Sequence, residues 1–372
     1  MKHKLLTLVL AAVVIMSLVV VGCAKPAPTP APEPAPAPSP APTPAPAPVK
    51  PIKLTIASWE PPEGTASEPI RQWAKELEER SGGRIDTEIT YGALGPPPGY
   101  YDLAVDGIAD VTYASPTYTP GKFKMSEMME LPVSGEASVE TMSVAFWQLY
   151  KKGYFDEDFK DVKVIWLGEL NGYHFQMGEG NDILKYNDLE GKKLRVSGAM
   201  HTKMAEAFGC NPVGMPSSEI FTSLMKGVID GALVPWSHIM SFRTESIIKS
   251  ITEAGTGGWE YGVFMNKKTW ENLPDDIKAI IDDMSLKYTQ MNGKRHDEYG
   301  EQAKALILRA GGVVHQFSEP DRNKVGDAVA PLWEEWIAAK EAEGLPAREA
   351  IDEYYYILKN MGIEMPYNGY IP

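Results

Sequence analysis

The stretch spanning residues 191–236, GKKLRVSGAMHTKMAEAFGCNPVGMPSSEIFTSLMKGVIDGALVPW, constrains this chain more than any other. Its apolar spacing reads as strand, helix, strand, helix, strand. A single arginine, Arg195, sits in the first strand. The last strand follows a Gly-Val-Ile-Asp-Gly turn and ends at Pro235-Trp236. The stretch carries no nucleophile motif, metal cluster or phosphate loop. It offers a fixed cation, backbone donors at helix starts and aromatics at a strand end, which is the equipment of a binding cleft.

The same grammar occurs earlier. A helix over 100–106 leads through Gly107-Ile-Ala-Asp110 into a strand over 111–115. A helix over 218–226 leads through Gly227-Val-Ile-Asp230-Gly231 into the strand 232–236. A glycine ending a helix, with a hydrophobic pair before Asp, reverses the chain into a strand. Two units built alike predict an α/β protein of two similar lobes. Ligands of open α/β sheets sit beyond the carboxyl ends of strands. The candidates at those ends are Tyr113, Ser115 and Tyr118 in one lobe and Val234 and Trp236 in the other.

Along the rest of the chain, residues 52–58 alternate as a strand that ends at Trp59. Thr65-Ala-Ser-Glu68 matches a capping box, and Ile70, Trp73, Ala74 and Leu77 give the following helix its apolar face. A strand is expected over 84–91, a helix over 137–151 and a strand over 162–167. A crossing into the second lobe begins at 174–177. Residues 247–252 and 259–265 read as two further strands, the latter returning to the first lobe. A helix capped at Leu273-Pro-Asp-Asp276 runs to about Arg309. A short strand and helices from about Pro320 and Ala347 finish the chain.

Residues 1–22 are a different kind of segment. Lys2 and Lys4 precede an apolar run, and Val20-Val21-Gly22-Cys23 places small residues before a cysteine, as in a bacterial lipobox. This reads as a removable lipoprotein signal peptide, with an uncleaved membrane anchor as the bland alternative. Lipidation of Cys23 leaves Cys210 as the only other cysteine, so no intrachain disulfide is expected, and Cys210 reads as a buried structural thiol. Within the 23–50 linker, residues 26–49 alternate proline with alanine, threonine, serine or glutamate. Such a tether favours polyproline II and reaches on the order of 75 Å. The net charge of −14 argues against a nucleic-acid partner, since broad phosphate contact needs a basic surface. The histidines at 174, 201, 238, 296 and 315 are scattered without metal-ligand spacing, so neither a metal nor a cofactor is expected.

Gly191-Lys-Lys-Leu-Arg-Val196, Cys210-Asn-Pro-Val-Gly-Met-Pro-Ser-Ser-Glu219 and Lys226-Gly-Val-Ile-Asp-Gly231 resemble the TRAP transporter solute-binding proteins of the DctP type. Glu79-Arg-Ser-Gly-Gly-Arg84, Tyr91-Gly-Ala-Leu-Gly95, Asp106-Gly-Ile-Ala-Asp110 and Glu130-Leu-Pro132 fit the same pattern. The resemblance runs in order over residues 52–360. It implies a two-lobe, periplasmic-binding-protein-like α/β fold with crossing strands and a long bridging helix. Lobe I would take 51–173 with about 258–300, and lobe II 174–257 with about 301–320. Residues 321–372 would add C-terminal helices across both.

The resemblance also implies closure around a small organic acid, delivered to a membrane permease. Its recurrent ligand contact is the arginine of the Gly-Lys-Lys-Leu-Arg pattern, here Arg195, whose planar guanidinium matches a carboxylate bidentately. Two departures stand out. Many members carry a second arginine where this chain has Phe175, and an asparagine where it has Val234. Together with Trp59, Tyr113, Trp236 and Trp259, these imply a hydrophobic or aromatic monocarboxylate rather than a sugar acid or dicarboxylate.

Blander readings stand beside each residue. Arg195 could pair with Asp188 or Glu219, Ser217 could be a helix cap, and each aromatic could belong to a lobe core. A ligand-sensing lipoprotein of the same fold is the alternative function. A surface-anchored hydrolase is the remote one, since no G-x-S-x-G elbow is present.

Overall fold

Two long strands carry the architecture. The computed structural model describes residues 50–132 and 137–363, so the expected leader, Cys23 and nearly all of the tether lie outside the described residues. The strands are β1 (Ile52–Ser58), β2 (Ile85–Tyr91), β3 (Val111–Ala114), β4 (Val162–Met177) and β5 (Lys193–Val196). They continue with β6 (Asn211–Gly214), β7 (Gly231–Val234), β8 (Ser250–Asn266) and β9 (Val313–Gln316). All belong to one sheet in the order β2-β1-β3-β8-β4-β7-β5-β6, with β9 beside β8.

β1, β2 and β3 are parallel, and β3 lies antiparallel to residues 262–265 of β8. β4 and β8 then run antiparallel along almost their whole lengths. At their other ends, residues 174–177 of β4 pair with β7, which joins the parallel set β7-β5-β6. Each lobe is therefore a small parallel sheet, and the β4–β8 ribbon crosses between them.

The sequence pattern divides β4 and β8 into shorter strands, whereas each is continuous. Glycines break the apolar alternation without ending the pairing. Gly172, Gly255 and Gly257 adopt positive φ at the middle of the ribbon, where a side chain would strain the backbone. The register slips between Tyr173 and Phe175, so two residues of one alternation serve different surroundings.

The helix Asp275–Arg309 spans 35 residues, about 52 Å at 1.5 Å per residue. Its Arg295 forms a bidentate pair with Glu68 on the helix Ser67–Arg80 of lobe I. Further along, Ala303 and Ile307 join Ile239, Ile248 and Ile251 in an apolar cluster of lobe II. Gly293 lets the helix pass close to Val139–Lys151, since a Cβ there would lie 2.8 Å from the Glu140 nitrogen. The C-terminal helices close over both lobes. Trp336 donates to Glu127 at 3.1 Å and the Tyr186 amide to Asp321 at 3.3 Å.

The capping box expected at Thr65–Glu68 does not form. The helix begins at Ser67 without a side-chain cap, because Thr65 turns to Ser241 of lobe II and Glu68 turns to Arg295. Cys210 is buried, donates to the Leu189 carbonyl at 3.2 Å and has its pKa pushed up to about 12 by burial.

Candidate ligand-binding cleft

The carboxyl ends of β1 and β3 face those of β5 and β7, and the gap between them holds a small cavity. β1 delivers Trp59 and Glu60 to it. β5 delivers Arg195, β7 delivers Val234 and Pro235, and the crossing ribbon adds Leu170, Tyr173 and Trp259. The short helix Ser237–Phe242 closes the remaining wall with Ser237, His238, Ser241 and Phe242.

Arg195 is 1% exposed. Its Nε donates to the Met215 carbonyl at 2.9 Å and its Nη2 to the Ser217 hydroxyl at 3.2 Å. Among the described residues no carboxylate forms an ion pair with it. Asp188 instead accepts the amides of Leu184 and Lys185, and Glu219 lies exposed. A buried charge costs several kcal/mol of hydration and is retained only where something compensates it. The guanidinium also acts on its surroundings. Burial first, and then the Arg195 charge, hold His238 down at about 3, so this wall histidine is neutral.

The walls are aromatic. Trp59 stacks on Tyr113 at 5.5 Å and on Phe242 at 6.2 Å, and meets the edge of Trp259 at 6.0 Å. The indole nitrogens of Trp59 and Trp259 are buried and lack an acceptor among the described residues.

Glu60 is 4% exposed on the same cavity. Its Oε2 accepts the Ala66 amide at 2.8 Å, and its Oε1 has a 3.4 Å contact from the Ser241 hydroxyl. Burial pushes its pKa up to about 7 against the lowering effect of these bonds.

The lobes touch directly around the cavity. Tyr118 Oη lies 3.1 Å from Ser217 Oγ, and Thr65 Oγ1 lies 2.9 Å from Ser241 Oγ. Gly198 of lobe II abuts lobe I so closely that a Cβ would lie 2.8 Å from the Thr117 carbonyl. These contacts define a closed arrangement.

Of the residues singled out by sequence, Arg195, Trp59, Val234, Ser217 and Trp259 come together on this cavity. Tyr113 stands one layer behind it, stacked under Trp59. Ser115 is structural, its hydroxyl donating to the Glu260 carbonyl at 2.7 Å. Trp236 faces a neighbouring hollow with His174 and His296.

Phe175 departs furthest from expectation. It is fully buried against Phe208 and Phe317 in lobe II, and the register slip after Tyr173 is the reason. Tyr173 takes the cavity position instead. Glu60, Leu170, Tyr173 and the 237–242 helix were not read from the sequence. Glu60 alone carried a usable signal, because it directly follows the strand-end Trp59.

An anion-accepting, aromatic cleft between two α/β lobes defines a solute-binding protein. The profile of the bacterial extracellular solute-binding protein family 7, DctP, matches residues 56–340, and the chain belongs to that family. Solved structures agree. A marine metagenome TRAP solute-binding protein specific for aromatic acid ligands, in complex with 3-hydroxybenzoate, superposes with a TM-score of 0.79. It shares 30% identity over 84% of this chain and 99% of its own. A TRAP solute-binding protein from Rhodoferax ferrireducens with copurified benzoate gives 0.79 and 26% over 84% and 98%. A solute-binding protein of Verminephrobacter eiseniae is 26% identical over 71% of this chain and 78% of its own.

Proposed function

We propose that this chain is the extracytoplasmic receptor of a TRAP transporter, that it takes an aromatic monocarboxylate, and that it passes the acid to the membrane permease without a chemical step. One observation carries the ligand class. Arg195 is buried without a counter-ion on the wall of a cavity where two indole N–H groups also lack acceptors. A carboxylate supplies acceptors to all three donors, and the apolar rings around them supply contact area for an aryl group. The family relatives in complex with 3-hydroxybenzoate and benzoate support the same class.

Dicarboxylates fit less well, although a Vibrio cholerae relative, 28% identical over 43% of this chain, is a C4-dicarboxylate-binding protein. A second carboxylate would enter a cavity whose cation is already engaged and whose other charge-bearing group is the Glu60 carboxyl. Closure is the working motion. Ligand binding to the open form stabilises the closed one through contacts that span both lobes.

Export and anchoring complete the reading. Residues 1–22 would direct secretion, Cys23 would carry the lipid, and the proline-rich tether would hold the receptor near its permease. Among the described residues no helix is long and apolar enough to cross a membrane.

A thermal-shift and calorimetric panel of benzoate, phenylacetate, succinate, an amino acid and a neutral sugar tests the ligand class. Aryl acids should raise the melting temperature by mass action. Stabilisation by succinate or sugar alone would overturn it. Replacing Cys23 by serine should move the protein from the membrane to the soluble fraction, and unchanged fractionation would remove the lipid anchor.

A further inference from the structure

Glu60 is the only carboxyl on the cavity wall among the described residues, and its surroundings hold it in one pose. The loop after it wraps around one oxygen. The Ala66 amide occupies Oε2 at 2.8 Å, and a Cβ on Gly64 would collide with that atom. The other oxygen is differently served. Ser241 Oγ donates to Oε1 over a long 3.4 Å, and Thr65 Oγ1, 2.9 Å from Ser241 Oγ, can donate to that serine in turn. A carboxylate oxygen has two acceptor positions, so Oε1 keeps one free beside the donors of Arg195, Trp59 and Trp259.

An acceptor of this kind is costly in an anion pocket. It repels the bound carboxylate through a poorly screened medium, and it stays dry once the lobes close. A hydrogen-bond donor on the ligand removes both penalties. We infer that Glu60 sets specificity within the aryl-acid class: its Oε1 accepts a hydrogen bond from a hydroxyl or amino substituent on the ring, while the ligand carboxylate is held by Arg195. This rests on the aromatic-monocarboxylate reading and narrows it to ring-hydroxylated or ring-aminated acids. The preference comes as much from rejection as from attraction, because a ring lacking the donor leaves a buried carboxyl unpaired.

Calorimetric titration at about pH 8, above the Glu60 value of about 7 in the ligand-free cleft, tests the assignment. The ligands are benzoate, the three hydroxybenzoates and the matching methoxybenzoates. At least one hydroxybenzoate should bind about tenfold or more tighter than benzoate, and its methyl ether should lose that gain. Glu60→Gln should bring the hydroxybenzoate-to-benzoate ratio to within about threefold, chiefly by tightening benzoate. The wild-type ligand series stands alone if that variant fails to fold. Benzoate binding with no hydroxyl preference overturns the role of Glu60 and leaves the aryl-acid reading intact. A Glu60→Gln protein that keeps the full preference does the same. Failure of every aryl acid to bind overturns both.

Discussion

Arg195 donates from Nη2 to the Ser217 hydroxyl at 3.2 Å, and that hydroxyl lies 3.1 Å from the Tyr118 phenol of the opposite lobe. The cation that would hold a ligand is thus linked through one serine to a contact that exists only when the lobes are together. Binding and closure share a hydrogen-bond chain.

Replacing Arg195 separates binding from stability. Arg195→Met should weaken the best aryl acid by at least about 100-fold, the loss typical of truncating a buried charge pair. Arg195→Lys should also fail, since an ammonium cannot reproduce the paired donors. The ligand-free melting temperature of Arg195→Met should be unchanged or higher, because an uncompensated buried charge is removed. Calorimetry and thermal melting together check this. Retained affinity in Arg195→Met would remove Arg195 from the ligand site.

Loss of the Tyr118 hydroxyl should act through closure alone. Tyr118→Phe keeps the ring against Trp59 and Trp259 and removes only the cross-lobe bonds to the Ser217 hydroxyl and amide. Affinity should fall by roughly three- to thirtyfold, the worth of one good hydrogen bond and one long one. Stopped-flow measurement should place the change in the dissociation rate. A purely slower association would show that the contact guides entry rather than holding the closed state.

The indole of Trp59 combines an aromatic face with an N–H that lacks an acceptor. Trp59→Phe preserves much of the stacking and deletes the donor, so an aryl acid should bind about tenfold more weakly. Because Trp59 and Trp259 both line the cavity, ligand should also change the intrinsic fluorescence of the wild type. That change should shrink in the variant. Equal affinities would mean the N–H never meets the ligand.

Local patterns announced the lobes. The repeated helix, glycine, aspartate and strand grammar located β3 and β7, and Arg195 was legible as the one arginine of the Gly-Lys-Lys-Leu-Arg pattern that carries the family resemblance. What remained hidden depends on register and long-range packing. Nothing local says that β8 continues through Gly255 and Gly257, or that a slip after Tyr173 turns Phe175 into the core. The 237–242 helix, six residues long, is too short to show a helical period. Thr65 and Glu68 matched a cap by type, but tertiary partners outcompeted the local bonds.

The placement of Phe175 yields a prediction of its own. Restoring an arginine at that position should not create a second carboxylate contact, because the side chain is enclosed by Phe208 and Phe317. An unpaired guanidinium there should destabilise the fold by roughly 4 kcal/mol or more. Phe175→Arg should melt far below the wild type or fail to accumulate. A stable variant with improved dicarboxylate binding would show that the residue reaches the cleft after all.

Buried ionisable groups set the pH dependence of stability. Burial drives Glu60 up to about 7, Glu130 and Glu169 up to about 8, and Glu260 well above the ordinary range. Burial also drives His174 down to about 4 and His201, His238 and His296 down to about 3. From about pH 6.5 to 8 the folded carboxyls keep protons that unfolded ones have released, so stability falls as pH rises. Below about 4.5 the unfolded histidines bind protons that the folded ones refuse, so stability falls as pH drops. Between those limits the two slopes oppose each other. The ligand-free protein should therefore show a broad melting-temperature maximum between about pH 4.5 and 6.5. Glu169 offers the sharpest check, since it is fully buried with one oxygen near the Tyr354 hydroxyl at 3.3 Å and the other without a partner. Glu169→Gln should make the alkaline limb shallower while leaving the acid limb in place, and an unaltered alkaline limb would show that Glu169 is already ionised in the fold at neutral pH.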